Sequence, residues 1–551
     1  MTAGTVNVKR QYYHHYMAWG LAIAGFFASA WAGQHGQWFL PEESIFATNY
    51  WMWGLLFKGN WSLLSEVATQ SASDWMAHLL MTPASLAQQL LQGFTHKETT
   101  APETLAPVIY LAGWFGLNSL LIYKISRRLF QLPTANLLAQ LIYILWTPHL
   151  MFVRHLVVYL PAESFFLLSI LLLLPKPDAE NTVIDPGSDR LIFAGGLFGL
   201  SVLSEPGFLY GLWVGLFMLY FSKKSLSLSV QERLKRMGLF CIPIVLVQVL
   251  CWILPAGIET IFLTGRSATG WAAGWLFPFI YLNTVSPGFL VITGFCVITG
   301  IMLAFNRRRS PTLNHFIQFS CLFLILWIAL GIGSMFSVFS PVAGHHLLVM
   351  ADIAILLCGM GLGFLLTHQE ENRQSYSLVG IVMTLICFGS LCVTVFVFTR
   401  QQYPSDMDRT LDHELGIQLP SSFITDPSLK RLPSVSVHHQ NGQKLFILRE
   451  LEPGKHPEII LSCSALTPSF ATSLEESDKT NSHYVLLNRL TGYPIHHINL
   501  IDKALVNSGA ILFKAAHPIH FGPYQYEGMS QAERSFIQYA PVSMYLLKNP
   551  C

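Results

Sequence analysis

Two adjacent carboxylates, Glu42 and Glu43, lie in the stretch "WFLPEESIFATNYWMW" (residues 38–53), directly after the first long apolar segment. Neighbouring carboxylates repel each other, which disfavours ionisation of both and suits one of them to proton transfer. The same residues can instead cap the helix that the next residues predict, because negative side chains are favourable at a helix amino end. The residue types leave proton transfer and capping both open.

The elements that position these carboxylates are predicted to be membrane-spanning helices. Of the 551 residues, 52% are hydrophobic and only 12% are charged, against about 25% charged residues in soluble proteins. Apolar runs long enough to cross a bilayer core of ~30 Å recur along most of the chain. They predict about eleven spanning helices, near residues 16–33, 106–123, 134–152, 157–174, 191–204, 207–222, 237–256, 287–305, 316–334, 343–367 and 377–399.

Basic residues alternate between the predicted loops, which indicates the orientation in the membrane. One set of loops contains Lys9, Arg10, "KISRR" (124–128), Lys176, Arg190, the segment 223–238, "NRRR" (306–309) and Arg373. The opposite loops are poorer in cations. The pattern predicts a cytoplasmic amino terminus and an extracytoplasmic carboxyl terminus. A cleaved signal peptide at 16–33 is the alternative, but its removal would disturb the alternation.

Two regions are predicted outside the membrane, on the outer face. Residues 34–105, the first outer loop, show apolar residues at the helical spacing typical of interfacial helices. Residues 401–551 contain β-like runs separated by Gly, Pro, Asn and Ser, namely 444–451, 458–466, 483–490 and 509–516. We therefore predict a transmembrane domain over residues 1–400 and a carboxyl-terminal periplasmic α/β domain over 401–551.

The stretch Leu-Pro-Glu-Glu-Ser-Ile-Phe-Ala (residues 40–47) resembles the first outer loop of the GT-C glycosyltransferases that use polyprenyl-phosphate sugars. The lipid A aminoarabinose transferase and protein mannosyltransferase group typically has Leu-Pro-Asp-Glu-Thr-Arg-Tyr-Ala there. "FKGNW" (57–61) is similar to the group's Gly-Asp-Trp step, and residues 127–174 are similar to its third and fourth helices, with Glu163 in a short outer turn. The likeness extends, as a helix pattern, over residues 10–370.

The chain departs from this family pattern at three positions. Glu42 stands where the family has Asp, Ile45 replaces the Arg of the motif, and Glu205 occurs where a Lys is usual.

The resemblance implies a GT-C-like fold and a membrane glycosyltransferase on the outer face of a bacterial inner membrane. Such an enzyme transfers a sugar from a polyprenyl-phosphate carrier to a lipid, glycan or protein acceptor. It implies that Glu42 is the base that accepts the acceptor's hydroxyl proton, that Glu43 orients Glu42 or the acceptor, and that Glu163 belongs to the same site. A divalent cation between Glu42 and Glu163 is an open alternative, since hard cations take carboxylate oxygens.

The leaving phosphate of such a donor requires cations from the outer face. The candidates are Arg154, Lys58, Arg266, His345 and His346. The alternative for the Arg and Lys residues is an interfacial anchor, whose charge reaches the lipid headgroups.

Two other functions stay open at the level of sequence. A transporter or flippase for a lipid-linked molecule predicts charged residues near the bilayer midplane and internal repeats, and an inactive GT-C-like scaffold fits the departures at Ile45 and Glu205. The chain contains no Walker loop and no dinucleotide fingerprint, and nothing in it indicates nucleic acid. Cys463 and the terminal Cys551 can pair if the tail faces an oxidising compartment.

Overall fold

Helices make up most of the described part of residues 1–400. The computed structural model describes residues 3–33, 44–57, 59, 61, 65, 75–95, 105–130, 132–154, 157–174, 176–177, 183–184, 187–221, 228–253, 275–276, 278–279, 282–283, 286–304, 311–335, 347–367, 375–400, 435–440, 443–448, 482–488, 511–515 and 542–548.

The helices in chain order are α1 (Ala3–Gly33), α2 (Ser44–Phe57), α3 (Trp75–Thr95), α4 (Leu105–Leu129), α5 (Pro133–Leu145), α6 (Thr147–Arg154), α7 (Tyr159–Leu173), α8 (Ser188–Ser204), α9 (Leu212–Phe221), α10 (Val230–Ile253), α11 (Pro287–Ala304), α12 (Pro311–Met335), α13 (Leu348–Thr367) and α14 (Ser375–Arg400). A 3₁₀ helix (Pro206–Gly211) precedes α9, and two short strands, β1 (Lys176–Pro177) and β2 (Val183–Ile184), pair antiparallel before α8.

Each of the apolar segments predicted to be helical overlaps a helix, so the prediction of a helical membrane protein is confirmed. Within the described residues, four stretches are long and apolar enough to cross a bilayer: Leu105–Leu129, Asn314–Ile332, Leu348–Leu366 and Leu378–Phe396. Shorter apolar helices accompany them at Pro133–Leu145, Tyr159–Leu173, Gly207–Phe221 and Pro287–Met302. The number of eleven spans stays a prediction.

The segment predicted as one helix over residues 134–152 is two helices, and that boundary was wrong. α5 ends at Leu145, and Trp146 is extended, with φ −73° and ψ 105°. Pro148 explains the break, because a helix continuing through it would lose the proline's backbone donor and bring its ring against the carbonyl of Ile144. The chain restarts as the short helix α6, and it returns into the bundle through α7.

α13 is the central helix of the bundle, because 89% of its apolar window is buried. It packs closely on α5: a Cβ added at Gly359 would lie 2.6 Å from the Cβ of Ala139, and one at Gly363 would lie 2.5 Å from the Cβ of Ala135. On α13 the small residues Gly359 and Gly363 are four positions apart, and so are Ala135 and Ala139 on α5. This small-xxx-small pattern lets membrane helices approach each other closely. The contact brings the first turns of α13 beside the chain segment that follows α5.

The described part of the first outer loop contains α2 and α3, which pack against each other. Between α2 and α3, Asn49 Nδ2 donates a hydrogen bond to the carbonyl of His78 at 2.6 Å. Between α4 and α3, the hydroxyl of Tyr110 donates to the carbonyl of Leu80 at 2.6 Å. α2 begins at Ser44, directly after the acidic pair. The predicted helices are therefore present, and their placement at a membrane surface stays a prediction.

The carboxyl-terminal region contributes one five-stranded sheet to the described residues. Its strands are β3 (Val435–Gln440), β4 (Gln443–Leu448), β5 (Ser482–Asn488), β6 (Ile511–Ala515) and β7 (Val542–Lys548), in the order β3-β4-β5-β7-β6. β4 and β5 are parallel and the other pairs are antiparallel. Three of the four predicted β runs coincide with β4, β5 and β6, and the run at 458–466 lies outside the described residues. The α/β domain as a unit remains a prediction.

Candidate functional site: a buried histidine and two buried carboxylates

Three ionisable side chains meet inside the helix bundle. His149 on α6, Glu163 on α7 and Asp352 on α13 each offer a ligand atom, and these atoms all lie within 4.8 Å of one another. Their relative exposures are 0%, 0% and 1%. Charged groups are this deeply buried only when they are paired, neutralised or used to hold an ion.

Glu163 is fixed through one of its two oxygens. Asn118 Nδ2 on α4 and the hydroxyl of Tyr143 on α5 both donate to Oε2, each at 3.0 Å. The second hydrogen on Asn118 Nδ2 goes to the carbonyl of Leu160 at 3.0 Å, and the hydroxyl of Ser164 donates to the Asn118 side-chain oxygen. Because Asn118 is fully satisfied, its amide orientation is determined, and Glu163 is left with Oε1 for another partner.

His149 is held by stacking rather than by hydrogen bonds. Its ring lies on the ring of Tyr143, with centroids 4.1 Å apart and an interplanar angle of 25°. Nε2 is 3.2 Å from Glu163 Oε1, which is ion-pair distance, yet the two atoms are not aligned as a hydrogen bond. The ring orientation is therefore set by Tyr143, and both ring nitrogens lack a hydrogen-bond partner among the described residues.

Asp352 lies one turn into α13, in the run "LLVMADIAILLCG" (347–359). Neither of its carboxylate oxygens accepts a hydrogen bond from an N–H or O–H group among the described residues, and its neighbour is the carboxylate of Glu163, with which it can share a proton. Leaving a buried polar atom unpaired costs about 1–3 kcal/mol, and more for a charged group. Asp352 must consequently be neutralised by a proton or by a cation.

The cluster is buried in the bundle, with Glu163 and Asp352 each about one turn from the first residue of its helix. Its contact residue Asn118 is roughly midway along α4, about 15–20 Å from either end at 1.5 Å per residue. The expectation that Glu163 lies in an outer turn is wrong, because α7 begins at Tyr159 and already contains it. Glu163 and Asp352 are therefore acidic residues within helices and not in loops.

The other predicted site residues contribute no described side chain to this cluster. Arg154 is the last residue of α6, and its side chain lies outside the described part. The remaining predicted site residues, Glu42, Glu43, Lys58, Arg266, His345 and His346, lie outside the described residues altogether. Their convergence with Glu163 on one outer cavity stays a prediction.

Glu205, which stands where the family pattern has a Lys, has a structural role in the described part of the chain. It is 8% exposed, and its side chain accepts a hydrogen bond from the backbone N–H of Gly207 at 3.1 Å. The carboxylate therefore caps the 3₁₀ helix Pro206–Gly211, where a negative charge is favourable.

Sequence reasoning missed His149, Asp352, Asn118 and Tyr143. The signal for Asp352 was present, because a single carboxylate inside an apolar run marks a functional position in a membrane helix. His149, Asn118 and Tyr143 carried no such signal, since they lie on three separate helices and meet Asp352 only through the tertiary packing.

Chemically, the cluster combines one imidazole with two carboxylates in a dry environment. Such a set can share protons among its members, or it can ligate a cation with Glu163 Oε1, Asp352 and a nitrogen of His149. Aromatic side chains surround it: the ring centroid of Phe115 lies 5.5 Å from that of Tyr143, and the ring centroid of Phe152 lies 6.5 Å from that of His149.

No protein-family model matches the chain, and no curated protein matches it. Among solved structures, the chain is similar to the crystal structure of ArnT from Cupriavidus metallidurans bound to undecaprenyl phosphate. The identity is 10%, the match covers 96% of this chain and 97% of that chain, and the TM-score is 0.46.

Proposed function

We propose that this protein is a membrane glycosyltransferase that moves a sugar from a polyprenyl-phosphate carrier to an acceptor on the outer face of the membrane. The observation that carries the proposal is the state of Glu163, the residue that the family resemblance assigns to the site. Its carboxylate is fully buried and fixed by Asn118 and Tyr143 through one oxygen, while the other oxygen has no hydrogen bond. That oxygen lies 3.2 Å from Nε2 of His149, and a fixed, buried carboxylate of this kind can stabilise positive charge that develops during a reaction.

In this reaction the protein mainly has to position the two substrates and to stabilise the charge that develops during transfer. The sugar is already activated by its lipid phosphate, so no nucleotide is required. In the proposal, Glu42 accepts the proton of the acceptor hydroxyl as that oxygen attacks the anomeric carbon. Glu43 orients Glu42 or the acceptor, and Glu163 forms the inner wall of the site.

The described helices on either side of the acidic loop support this arrangement. α1 ends at Gly33, where an added Cβ would lie 2.9 Å from Cγ1 of Val153, on the same short helix as His149. The loop 34–43 spans at most about 35 Å when extended and ends where α2 begins. Because α2 is joined through α3 to α4, both ends of the loop are fixed on the bundle that holds Glu163.

Cations for the leaving phosphate are proposed on the same face. Arg154 ends α6, the helix that carries His149, and a guanidinium there is suited to a phosphate because its donors match two oxygens at once. Lys58, Arg266, His345 and His346 are the further candidates. A lipid, glycan or protein serves as the acceptor.

The experiment is a transfer assay with the purified protein in lipid vesicles. Radiolabelled polyprenyl-phosphate sugars are supplied with a membrane extract as acceptor, and wild type is compared with Glu42→Gln. We expect the variant to lose transfer by about 100-fold or more, because general-base catalysis contributes about that factor. Glu232→Gln on α10 is the control, since Glu232 is 46% exposed and lies 4.0 Å from Lys235, away from the site.

Two outcomes would contradict the proposal. If Glu42→Gln transfers sugar at the wild-type rate, Glu42 is not the base. If wild type transfers no label from any polyprenyl-phosphate donor to the membrane extract, the protein is not this kind of transferase.

A second candidate function is a transporter or flippase for a lipid-linked molecule. The observation in its favour is the burial of His149, Glu163 and Asp352 inside the helix bundle, since ionisable groups in such a place mark ion and substrate pathways. Sealed vesicles distinguish the two candidates: a transporter moves the intact labelled lipid across the bilayer, whereas a transferase separates the label from its lipid.

A further inference from the structure

We propose that His149, Glu163 and Asp352 form a binding site for one divalent transition-metal ion of the Zn²⁺ type, inside the helix bundle. The site shares Glu163 with the cation bridge to Glu42 that the sequence left open, but its other two ligands are His149 and Asp352. It does not rest on the glycosyltransferase proposal.

Unpaired donor atoms are the first argument. Oε1 of Glu163, both oxygens of Asp352 and both ring nitrogens of His149 are buried, and no aligned N–H or O–H group of another described residue pairs with them; they face one another instead. Buried polar atoms are otherwise almost always paired. Their concentration on three side chains whose atoms lie within 4.8 Å of one another points to a ligand between them.

Charge is the second argument. Two ionised carboxylates and a neutral imidazole carry two negative charges, and a divalent cation cancels them. Two like charges this close in a dry interior are otherwise unfavourable. Metal binding would therefore neutralise the cluster without protonating either carboxylate.

Distance is the third argument. Ligands about 2.0–2.1 Å from a tetrahedral Zn²⁺ lie about 3.3 Å from each other. Nε2 of His149 and Oε1 of Glu163 are already 3.2 Å apart. The remaining separations are at most 4.8 Å, so closing the site requires a contraction of at most about 1.5 Å, which side-chain rotation of Asp352 can supply.

The surroundings hold two of the ligands in place. Asn118 and Tyr143 occupy Oε2 of Glu163 and so direct Oε1 inward, while the ring of Tyr143 fixes the plane of His149. Hydrogen bonding and packing of this kind orient the ligands of metal sites. Three protein ligands leave a fourth tetrahedral position open, which is typical of sites that bind a water or a substrate oxygen.

The ligand set selects the type of metal. An imidazole with two carboxylates suits a borderline ion such as Zn²⁺, and Mn²⁺ binds such sites more weakly. Ca²⁺ takes six to eight oxygens and Mg²⁺ retains several waters, and neither fits three buried ligands in an apolar interior.

The test measures bound metal in the purified, full-length protein in detergent. The protein is stripped with a chelator, incubated with Zn²⁺, Mn²⁺, Mg²⁺ or Ca²⁺ alone, and desalted, and the metal is counted by mass spectrometry. The variants are Asp352→Asn and His149→Gln, which preserve side-chain size. Glu232→Gln and His315→Gln, on α10 and α12, are the matched controls.

We expect wild type and both controls to retain one more Zn²⁺ per chain than the variants Asp352→Asn and His149→Gln. The difference excludes zinc held by the histidines of the carboxyl-terminal region, which all five proteins share. Zn²⁺ should also raise the thermal unfolding temperature of wild type and of the controls but not that of the two variants. X-ray absorption at the zinc edge should show one imidazole ligand in wild type, and that ligand should be missing from the spectrum of His149→Gln.

Equal zinc content in wild type and Asp352→Asn would overturn the proposal and leave protons to neutralise the cluster. Folding is checked in the absence of metal: Asp352→Asn should unfold no lower than metal-free wild type, because it removes a buried charge. The zinc proposal and the transferase proposal can fail independently, since Glu42→Gln should lose sugar transfer and still bind zinc.

Discussion

Nε2 of His149 lies 3.2 Å from Oε1 of Glu163, and both side chains are completely buried. Tyr143 joins the two residues, because its ring stacks on the imidazole and its hydroxyl donates to the other oxygen of the carboxylate. One residue thus sets the orientation of both, while Asp352 approaches from the central helix α13. The arrangement positions a carboxylate oxygen and a ring nitrogen for a third partner.

Replacing Tyr143 by Phe tests this coupling. The variant keeps the stacked ring and loses the donor to Glu163 Oε2, so we expect the free energy of unfolding to fall by about 1.5–3 kcal/mol, the range for a hydrogen bond to a charged group. We expect zinc affinity to fall by about 10–100-fold. Thermal unfolding and zinc titration are the measurements. Tyr123→Phe, which removes a hydroxyl on α4 outside the cluster, is the control, and a Tyr143→Phe protein unchanged in both measurements contradicts the coupling.

Glu163→Gln tests whether the buried carboxylate takes part in the reaction. The amide oxygen can still accept from Asn118 and Tyr143, so we expect the variant to fold with nearly the wild-type unfolding temperature. Sugar transfer should fall by about 100-fold or more, because the amide carries no negative charge. The assay is initial transfer rate at saturating donor, with Glu232→Gln beside it. A full wild-type rate would remove Glu163 from the site.

Gly359→Ala tests the close contact that places Asp352. The added Cβ would lie 2.6 Å from the Cβ of Ala139 and 2.8 Å from its backbone nitrogen, so α5 and α13 would have to separate. We expect a loss of about 1–3 kcal/mol in the free energy of unfolding, as for other overpacked positions. At Gly113 an added Cβ meets nothing within 4 Å, so Gly113→Ala should be neutral or stabilising by up to about 1 kcal/mol. Equal unfolding temperatures for the two variants would contradict the contact.

The predicted topology has a simple test in the native cysteines. Cys463 and Cys551 belong to the tail that we expect outside the membrane, so a membrane-impermeant thiol reagent should label intact, reduced cells. Labelling should disappear in the Cys463→Ser, Cys551→Ser double variant. Lys235→Cys in that background, at an exposed position of the predicted cytoplasmic segment, should be labelled only after the cells are opened. Labelling of Lys235→Cys in intact cells would reverse the orientation.

Much of the helical architecture could be predicted because apolar runs of bilayer length dominate the chain, and such runs specify helices almost regardless of their partners. The break at Trp146 was missed, since Pro148 stands within an otherwise continuous apolar run. In the tail, β3 was missed because "VSVHHQ" has no clear apolar alternation, and it pairs antiparallel with β4 along its whole length.

The candidate site was predicted less well than the helices. Glu163 was identified through a family resemblance, yet its burial and its partners depend on how five helices pack. Asp352 could have been singled out from its apolar surroundings, whereas His149 lies in a short helix whose position follows from the break at Trp146. No periodicity within one segment reveals contacts among residues that are so far apart in the chain.

The most direct measurement follows both products of a labelled polyprenyl-phosphate sugar with the purified protein in sealed vesicles. If the protein is a transferase that uses the acidic loop and Glu163, one free polyprenyl phosphate should appear for each sugar joined to the acceptor. Both products should disappear together in Glu42→Gln. Intact labelled lipid that crosses the bilayer with no release of polyprenyl phosphate would contradict the account and establish the transporter instead.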